Sequence, residues 1–139
     1  MTQDPKRYLE DLVPGFDDGA HATALGKSLL ATLTAEQRAR YLKDYGMRAY
    51  TPQTLTTPEA LEADIAAGER RQMQIEINQY RQGVACAAVL AVADRDPERR
   101  VVISCALPAP ELMTSAKMIR TRLTANARGI AAAYADEIY

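Results

Sequence analysis

Two apolar runs joined by a short charged segment constrain the fold of this chain more than any other feature of its sequence. The first run, residues 84–93, is continuously apolar and follows Gly83, and the second, residues 101–107, is rich in β-branched residues. The first run alone fits a strand or a helix, but the polar turn at residues 94–100 connects it to the second. We therefore predict a β-hairpin within a mainly antiparallel sheet.

A third strand is predicted just before the hairpin, at residues 73–78. Apolar and polar residues alternate there with a period of two, which is typical of a strand that is buried on one face only. The apolar residues should face the core, and they are Met73, Ile75 and Ile77.

Two helices are predicted in the first third of the chain. Leucines spaced four residues apart indicate a helix over residues 22–33. Thr34 and Gln37 match a capping box, in which each side chain bonds the backbone N–H of the other residue. A second helix should therefore begin at residue 35 and end near Gly46. The leucines expected on the buried face of the first helix are Leu25, Leu29 and Leu33.

Two more helices are predicted around the strands. Thr57 followed by Pro58 indicates the start of a third helix that extends to residue 71, because proline is tolerated at the first helical position. After Pro108 and Pro110 end the sheet, Ser115 should cap a closing helix that reaches residue 138. This order of elements predicts an α+β fold. The stripe of the closing helix that packs on the sheet should comprise Ile119, Leu123, Ala127, Ile130, Tyr134 and Ile138.

Charge and composition exclude several classes of protein. The formal net charge is -1, whereas a domain that grips nucleic-acid phosphates normally carries a basic excess. No apolar stretch approaches the ~20 residues of a membrane-spanning helix, so we expect no membrane partner. Two cysteines within apolar runs indicate buried, reduced thiols. Because residues 1–6 also lack a signal-peptide pattern, we expect a cytoplasmic protein.

The residues needed for catalysis or metal binding are sparse. His21 is the only histidine, and no serine or cysteine is adjacent to it in sequence, so we expect it to make a local, structural hydrogen bond at a helix entry. One histidine with Cys86 and Cys105 does not form a zinc-ligand pattern. The seven glycines are dispersed, which excludes a P-loop or a dinucleotide fingerprint. We therefore expect no enzyme activity, no metal and no cofactor.

A binding role remains. The beginning of the first helix, residues 23–27, offers backbone N–H groups and a partial positive charge that suit a carboxylate. Polar groups on the predicted strands can complete a pocket, and the candidates are Glu76, Cys86, Ser104 and Cys105. Taken alone, each has a simpler structural explanation. The cysteines fit as small core residues, Ser104 can bond to backbone, and Glu76 can face water.

Several segments match, in order, the motifs of one protein family. Residues 21–31 (HATALGKSLLA) are similar to its entry helix, and residues 50–58 (YTPQTLTTP) to a threonine-rich loop. Residues 79–88 (QYRQGVACAA) are similar to a tyrosine-to-glycine turn with a cysteine-alanine strand, and residues 103–108 (ISCALP) to a serine-bearing strand that ends at proline. The chain thus resembles, over residues 21–139, the ligand-sensing domain of the IclR (isocitrate lyase regulator) family of bacterial transcription factors.

The resemblance implies a GAF-like or profilin-like effector-binding domain, with a mainly antiparallel sheet flanked by helices and a long C-terminal helix. Family members bind a small metabolite, often an organic or aromatic acid. Binding changes the dimer or tetramer arrangement of attached winged helix-turn-helix domains on operator DNA. We therefore expect a small-molecule effector and a homo-oligomer. The positions that match the family's ligand contacts are Ala24, Leu25, Gly26, Leu29, Glu76, Cys86, Ser104 and Ala106.

Four positions depart from the family pattern and affect the expected ligand chemistry more than the fold. Gln72 replaces a usual glycine, and Gln79 replaces a usual acidic residue. Leu90 replaces a usual proline, and Ala106 stands where a second serine is frequent.

Residues 1–20 read as an irregular lead-in, and residues 21–139 as the effector-binding domain. The winged helix-turn-helix and the first strands of the family are not recognisable, so DNA binding would require a domain absent from this chain. Missing strands leave sheet edges open, which favours a dimer or a higher oligomer.

Two further hypotheses compete with an effector-sensing domain. One is a purely structural oligomerisation module, in which the polar groups of the helix entry and the strands are packed shut. The other is a small enzyme that depends on Cys86 or His21. Reactivity of the thiol separates the enzyme from the others, since a catalytic cysteine needs a depressed pKa and access to solvent.

Overall fold

A three-stranded antiparallel sheet forms the centre of the chain. The computed structural model describes residues 19–96 and 99–138, with the backbone alone for the last two. The predicted lead-in therefore lies almost wholly outside the described residues. A 3₁₀ turn at Ala20–Ala22 comes first. The helices are α1 (Ala24–Leu30), α2 (Ala35–Tyr45), α3 (Pro58–Arg71) and α4 (Ala109–Ile138), and the strands are β1 (Gln74–Ile77), β2 (Val84–Val92) and β3 (Val101–Pro108).

The predicted hairpin is confirmed. The strand order is β1-β2-β3, and both pairings are antiparallel. Strand β2 is the longest of the three described strands, and its residues after Ala88 extend past the beginning of β1 at Gln74. An irregularity between Leu90 and Val92 shifts the register of β2 against β3.

Helices cover both faces of the sheet. On one face, Leu112 and Leu123 of α4 pack against Ala85 and Ala87 of β2. On the other face, α1 lies over all three strands, and α3 packs beside it against β1. A second apolar cluster joins the helices on that side through Leu30, Leu42, Leu61 and Ile65. This is the predicted α+β fold with a helix-flanked antiparallel sheet.

Local capping explains where two helices begin and end. The Thr34–Gln37 capping box is present in both directions, with N···O distances of 2.9 and 3.1 Å. Helix α2 ends at Tyr45 and is capped by Gly46, whose φ of 81° lies in the left-handed region that glycine favours. Thr57 caps α3 and Pro58 occupies its first position, as the sequence predicts.

The prediction for the first helix is wrong in extent and only partly right about its buried face, because Leu25, Leu29 and Leu33 pack against the apolar cluster but are only half-buried. Helix α1 has only seven residues, and its leucines at 25 and 29 are half-buried. Lys27, Ser28 and Leu30 are the buried side chains instead. The reason is that α1 lies between the sheet and the other helices, so the side that looks polar in sequence faces the sheet.

In strand β1 and the residue before it, Met73, Ile75 and Ile77 face the core as expected, but the polar residues between them are covered as well. Gln74 and Glu76 are buried, while Ile75 and Ile77 are only half-buried. Both faces of β1 are covered, since its isoleucines pack with α4 and its polar residues lie under α1 and α3. A period of two located the strand but did not identify the more buried face.

The closing helix begins earlier than predicted. It starts at Ala109, and Ser115 is a kink within it, with φ −120° and ψ 16°. Of the predicted stripe, Leu123 and Ala127 are buried, but Ile130 is exposed. The two cysteines also differ from expectation, because both are half-buried rather than buried.

Replacing Gln72 with glycine should stabilise the fold. Gln72 ends α3 in a left-handed conformation with φ 64°, which costs a non-glycine residue about 1–2 kcal/mol. Glycine removes that strain but loses about 0.4–1 kcal/mol to unfolded-chain entropy, so the net gain should be about 0.5–1 kcal/mol. Urea unfolding of Gln72→Gly measures it. The control Gln82→Gly, at an exposed position without positive φ, should be neutral or destabilising. Equal effects of the two substitutions on the free energy of unfolding would refute backbone strain at Gln72.

Candidate functional site

The sheet face beneath α1 brings several of the predicted ligand contacts together. In the register, Glu76 lies opposite Cys86, and Cys86 lies opposite Ala106, so the three form one row across the sheet. Ser104 belongs to the neighbouring row, opposite Ala88. Cys105 does not join them, because it packs on the opposite face with α4.

Exposure increases steadily along this row. Glu76 is only 1% exposed, Cys86 is half-buried, and Ala106 and Ser104 are exposed. The row therefore forms a floor that is polar and enclosed at β1 and open to solvent at β3.

The beginning of α1 is closely packed. Ala24 and Gly26 are buried, and Leu25 and Leu29 are half-buried. Thr23 caps the helix, since its Oγ1 accepts from the N–H of Gly26 at 3.0 Å. Gly26 lies against the preceding 3₁₀ turn so closely that a Cβ there would be 2.4 Å from a backbone oxygen. The N–H of Gly26 is thus occupied by the cap.

His21 is buried and makes a long-range contact. Its Nε2 is 2.8 Å from the backbone oxygen of Arg48. Its ring also lies 6.0 Å from that of Tyr50, between centroids. These contacts join the 3₁₀ turn to the loop after α2, which is the structural role predicted from the sequence, although the bond spans 27 residues rather than being local.

Glu76 is held by the backbone of the turn that follows its own strand. Its Oε2 accepts from the N–H groups of Gln79 at 2.7 Å and Tyr80 at 3.3 Å. Burial raises the pKa of the Glu76 carboxyl, and these bonds and a bond from the Cys86 thiol oppose the rise. The balance favours a proton on Glu76 more than in free glutamate.

The Cys86 thiol is unsuited to nucleophilic chemistry. Burial, followed by the neighbouring Glu76 charge, raises the pKa of Cys86 to about 12. Nucleophilic attack requires the thiolate, whose population at neutral pH falls as that pKa rises. The thiol is therefore a weak hydrogen-bond donor at this place.

Sequence reasoning missed Lys27, which organises the site. Its side chain is fully buried, and its ammonium donates to three acceptors. These are Asp64 Oδ2 of α3 at 2.6 Å, Gln79 Oε1 at 2.8 Å and the backbone oxygen of Ile75 at 3.2 Å. All three N–H groups of the ammonium are satisfied, so one side chain ties α1 to α3 and β1.

The charge on Lys27 results from two opposed effects. Burial lowers the pKa of Lys27, and the contact with the Asp64 carboxylate raises it. Asp64 is 29% exposed on its side chain, so water reaches the pair from one side. A lysine in a run that reads as amphipathic gives no sequence signal for this burial, because its partners are 37 to 52 residues away.

An aromatic cluster adjoins the buried end of the row. The rings of Tyr50 and Tyr80 are 4.7 Å apart between centroids. The guanidinium of Arg48 lies 5.0 Å from the centroid of Tyr50. Because the backbone N–H of Tyr80 bonds Glu76, the cluster adjoins the turn that holds that carboxyl. Tyr50 and Tyr80 lie within the family-like segments of the sequence, but none of the three residues was predicted to contact a ligand.

Other kinds of site find no support in the described part of the chain. Within residues 19–96 and 99–138, His, Cys, Asp and Glu form no group of three or more suited to a metal ion. Among the same residues, no helix combines the length and the apolar character needed to cross a membrane.

The fold places the chain in the class of α+β domains with an antiparallel sheet covered by helices on both faces. A sequence profile described as "Bacterial transcriptional regulator IclR C-terminal" matches residues 13–135. The chain therefore belongs to the IclR C-terminal family. The match begins eight residues before the first motif recognised in the sequence.

Curated relatives are regulators. The chain is 35% identical over 94 residues to a probable transcriptional regulator, SauR, of Cupriavidus necator. That alignment covers 68% of this chain and 36% of the relative. It is 34% identical over 85 residues to the transcriptional repressor IclR of Escherichia coli, which covers 60% and 31%. The chain thus spans about a third of the length of these relatives.

Solved structures share the fold. The C-terminal domain of the E. coli regulator KdgR has a TM-score of 0.72 at 24% identity, covering 81% of this chain and 69% of that one. A double mutant of the Acinetobacter PobR inducer-binding domain, in complex with 3-hydroxybenzoic acid, has a TM-score of 0.66 at 22% identity, covering 81% and 65%.

Replacing Lys27 with methionine should destabilise the domain strongly. Methionine keeps the length of the side chain but leaves Asp64 and Gln79 without their donor. Breaking a buried pair from one side costs about 3–5 kcal/mol, and partial exposure of Asp64 points to the lower end, about 3 kcal/mol. Chemical unfolding measures the loss.

Two variants control this experiment. Lys43→Met, at an exposed position of α2, should change stability by less than about 0.5 kcal/mol. Lys27→Met combined with Asp64→Leu should recover part of the loss, because no charge is then left unpaired. If Lys27→Met is as stable as Lys43→Met, the hydrogen bonds of Lys27 do not stabilise the domain and the prediction is wrong.

Proposed function

We propose that this domain senses a small organic or aromatic acid and passes that signal to a DNA-binding domain in a transcriptional regulator. The observation that carries the proposal is the row of Glu76, Cys86 and Ala106, with Ser104 beside it, on the sheet face beneath α1. We place the ligand on this floor. The expected wall is formed by the α1 residues Ala24, Leu25, Gly26 and Leu29.

The aromatic cluster favours an aromatic ligand among the acids. Tyr50 and Tyr80 offer ring surface next to the buried end of the floor, and Tyr80 is 37% exposed. A ring stacked there gains about 0.5–1.5 kcal/mol beyond its buried area. A structural neighbour with the same fold is an inducer-binding domain in complex with 3-hydroxybenzoic acid.

The polar groups of the floor suit a ligand carboxylate whose binding is coupled to protonation of Glu76. Binding an anion beside Glu76 raises the pKa of that carboxyl further, because like charges repel. An acid ligand should therefore bind with proton uptake and more tightly at lower pH. Ser104 supplies a hydroxyl donor at the open end of the row.

We extend the proposal to assembly. Strand β3 lies at an edge of the described sheet and alternates half-buried and exposed residues. An open edge pairs readily with another strand, so the domain is proposed to form a dimer or tetramer. Light scattering at several concentrations tests this, and the mass of one chain throughout would refute it. Contact with DNA would require a winged helix-turn-helix outside these residues.

A screen of small acids tests the sensing function. Thermal unfolding is followed with aliphatic and aromatic carboxylates, including 3-hydroxybenzoate, and with the matching alcohols as uncharged controls. A ligand at 100 times its Kd should add about 2.7 kcal/mol to the free energy of unfolding. Ser104→Ala should weaken the best hit roughly three- to tenfold, whereas Ser115→Ala, at the kink of α4, should leave it unchanged. No stabilisation by any acid would favour the purely structural oligomerisation module.

The thiol of Cys86 separates a sensor from an enzyme. In a Cys105→Ser background, the thiolate population of Cys86 near neutral pH should be roughly a thousandfold below that of a thiol with the ordinary pKa of 9.0. The rate of alkylation by iodoacetamide should rise about tenfold per pH unit over the range in which the domain stays folded, because the pKa of Cys86 lies above that range. Glu76→Gln should speed the reaction at fixed pH, because a neighbouring negative charge is removed. The same protein in concentrated urea gives the reference rate, and fast alkylation of the folded protein at pH 7 would support the cysteine-dependent enzyme.

A further inference from the structure

A second cleft lies at the end of the sheet where β2 extends past β1. Its volume is about 600 Å³, and it is bordered by the end of α1, the end of α3 and the middle of α4. It shares no residue with the predicted effector contacts. Its lining on the sheet side includes Gln74, Ala88 and Leu90.

Two of the residues that line this cleft each carry a buried polar atom without a hydrogen-bond partner among the described residues. These atoms are Oγ of Ser28 and Oε1 of Gln74. Both side chains are at least 95% buried, being 4% and 5% exposed. The amide of Gln74 is held in place, because its Nε2 donates to the backbone oxygen of Ile65 at 3.0 Å. Leaving such groups unpaired is unfavourable, because each has lost its hydrogen bonds to water without replacement.

Positive charge lies at the mouth of the same cleft. Arg100 donates to Thr32 Oγ1 at 3.2 Å and to two backbone oxygens at 2.9 and 3.3 Å. These bonds fix its guanidinium but use only three of its five N–H groups. Arg95 and Arg128 add two more cations, against the two carboxylates of Glu69 and Asp94. The side chain of Asp94 is engaged by the hydroxyl of Tyr134.

These groups define what the cleft would bind. Oε1 of Gln74 can only accept, so it requires a donor on the ligand, and Ser28 both donates and accepts. The guanidinium of Arg100 suits a carboxylate. We propose that this cleft binds a small hydroxylated carboxylic acid, with its hydroxyl groups on Ser28 and Gln74 and its carboxylate at Arg100.

The proposal does not depend on the effector site under the beginning of α1. Both sites border this helix without sharing a residue, and Ser28 of the cleft directly follows the buried Lys27. A ligand in the cleft would hold the end of α1 against β1. Occupation of one site is therefore expected to affect the other through α1.

Three six-carbon probes test the chemistry. D-Gluconate carries both the hydroxyl groups and the carboxylate, hexanoate carries only the carboxylate, and sorbitol only the hydroxyl groups. Calorimetric titration of the whole chain should give a Kd for gluconate at least tenfold lower than for the other two. Gluconate should also shift the side-chain amide resonances of Gln74 in an NMR titration.

Two variants locate the site. Ser28→Ala and Gln74→Met should each weaken gluconate binding roughly tenfold, since each removes one hydrogen-bonding partner. The melting temperature of Ser28→Ala should stay the same or rise, because an unpaired buried hydroxyl is removed. Ser104→Ala, in the effector site, should bind gluconate as the parent chain does.

Each alternative result overturns the proposal. If gluconate binds no better than hexanoate, only the charge of the carboxylate is recognised and the hydroxyl groups are not. Binding that survives both Ser28→Ala and Gln74→Met lies elsewhere, and binding lost in Ser104→Ala belongs to the effector site. If a variant fails to fold, the NMR titration of the parent chain provides the test. Side-chain amide resonances of Gln74 that do not shift at saturating gluconate would refute the site.

Discussion

The buried ammonium of Lys27 is the contact on which the rest of the site depends. Helix α1 has only seven residues, too few for a helix to be stable alone, so its position must come from tertiary contacts. Lys27 provides them at a single point, by bonding a carboxylate on α3, an amide after β1 and a backbone oxygen within β1. The floor of the proposed effector site and its wall are thereby held at a fixed distance. Loss of these hydrogen bonds would therefore free the floor and the wall from each other.

Around that point, the polar groups form two hydrogen-bonded sets that meet at Gln79, whose N–H bonds Glu76 and whose Oε1 bonds Lys27. Glu76 takes its bonds from backbone N–H groups of the turn, whereas Lys27 takes Asp64 as its contact partner. The turn between β1 and β2 is itself fastened to the loop before α3, because Thr51 and Thr54 donate to backbone oxygens of Asn78 and Gln79. The carboxyl of Glu76 thus remains in a site fixed by its surroundings, which is the arrangement a binding group requires.

How far the sequence predicts this structure depends on the range of the interaction. Signals read within a few residues, such as the Thr34–Gln37 box and Thr57–Pro58, located helix ends correctly. The alternation in β1 and the hairpin runs located all three strands. Burial was harder, because Gln74, Glu76 and Lys27 are covered by elements far along the chain. The candidate row followed from family motifs at the right spacing, but its registration across the sheet could be known only from strand pairing.

The amide at Gln79 has an electrostatic consequence for the site. Where the family usually has an acidic residue, this chain presents a neutral oxygen to Lys27, so the ammonium has one carboxylate in contact instead of two. The surroundings of Glu76 accordingly contain one negative charge fewer than they would with an acid at this position. In the proposed effector site, an anionic ligand would therefore meet less opposing potential than it would with an acid at residue 79.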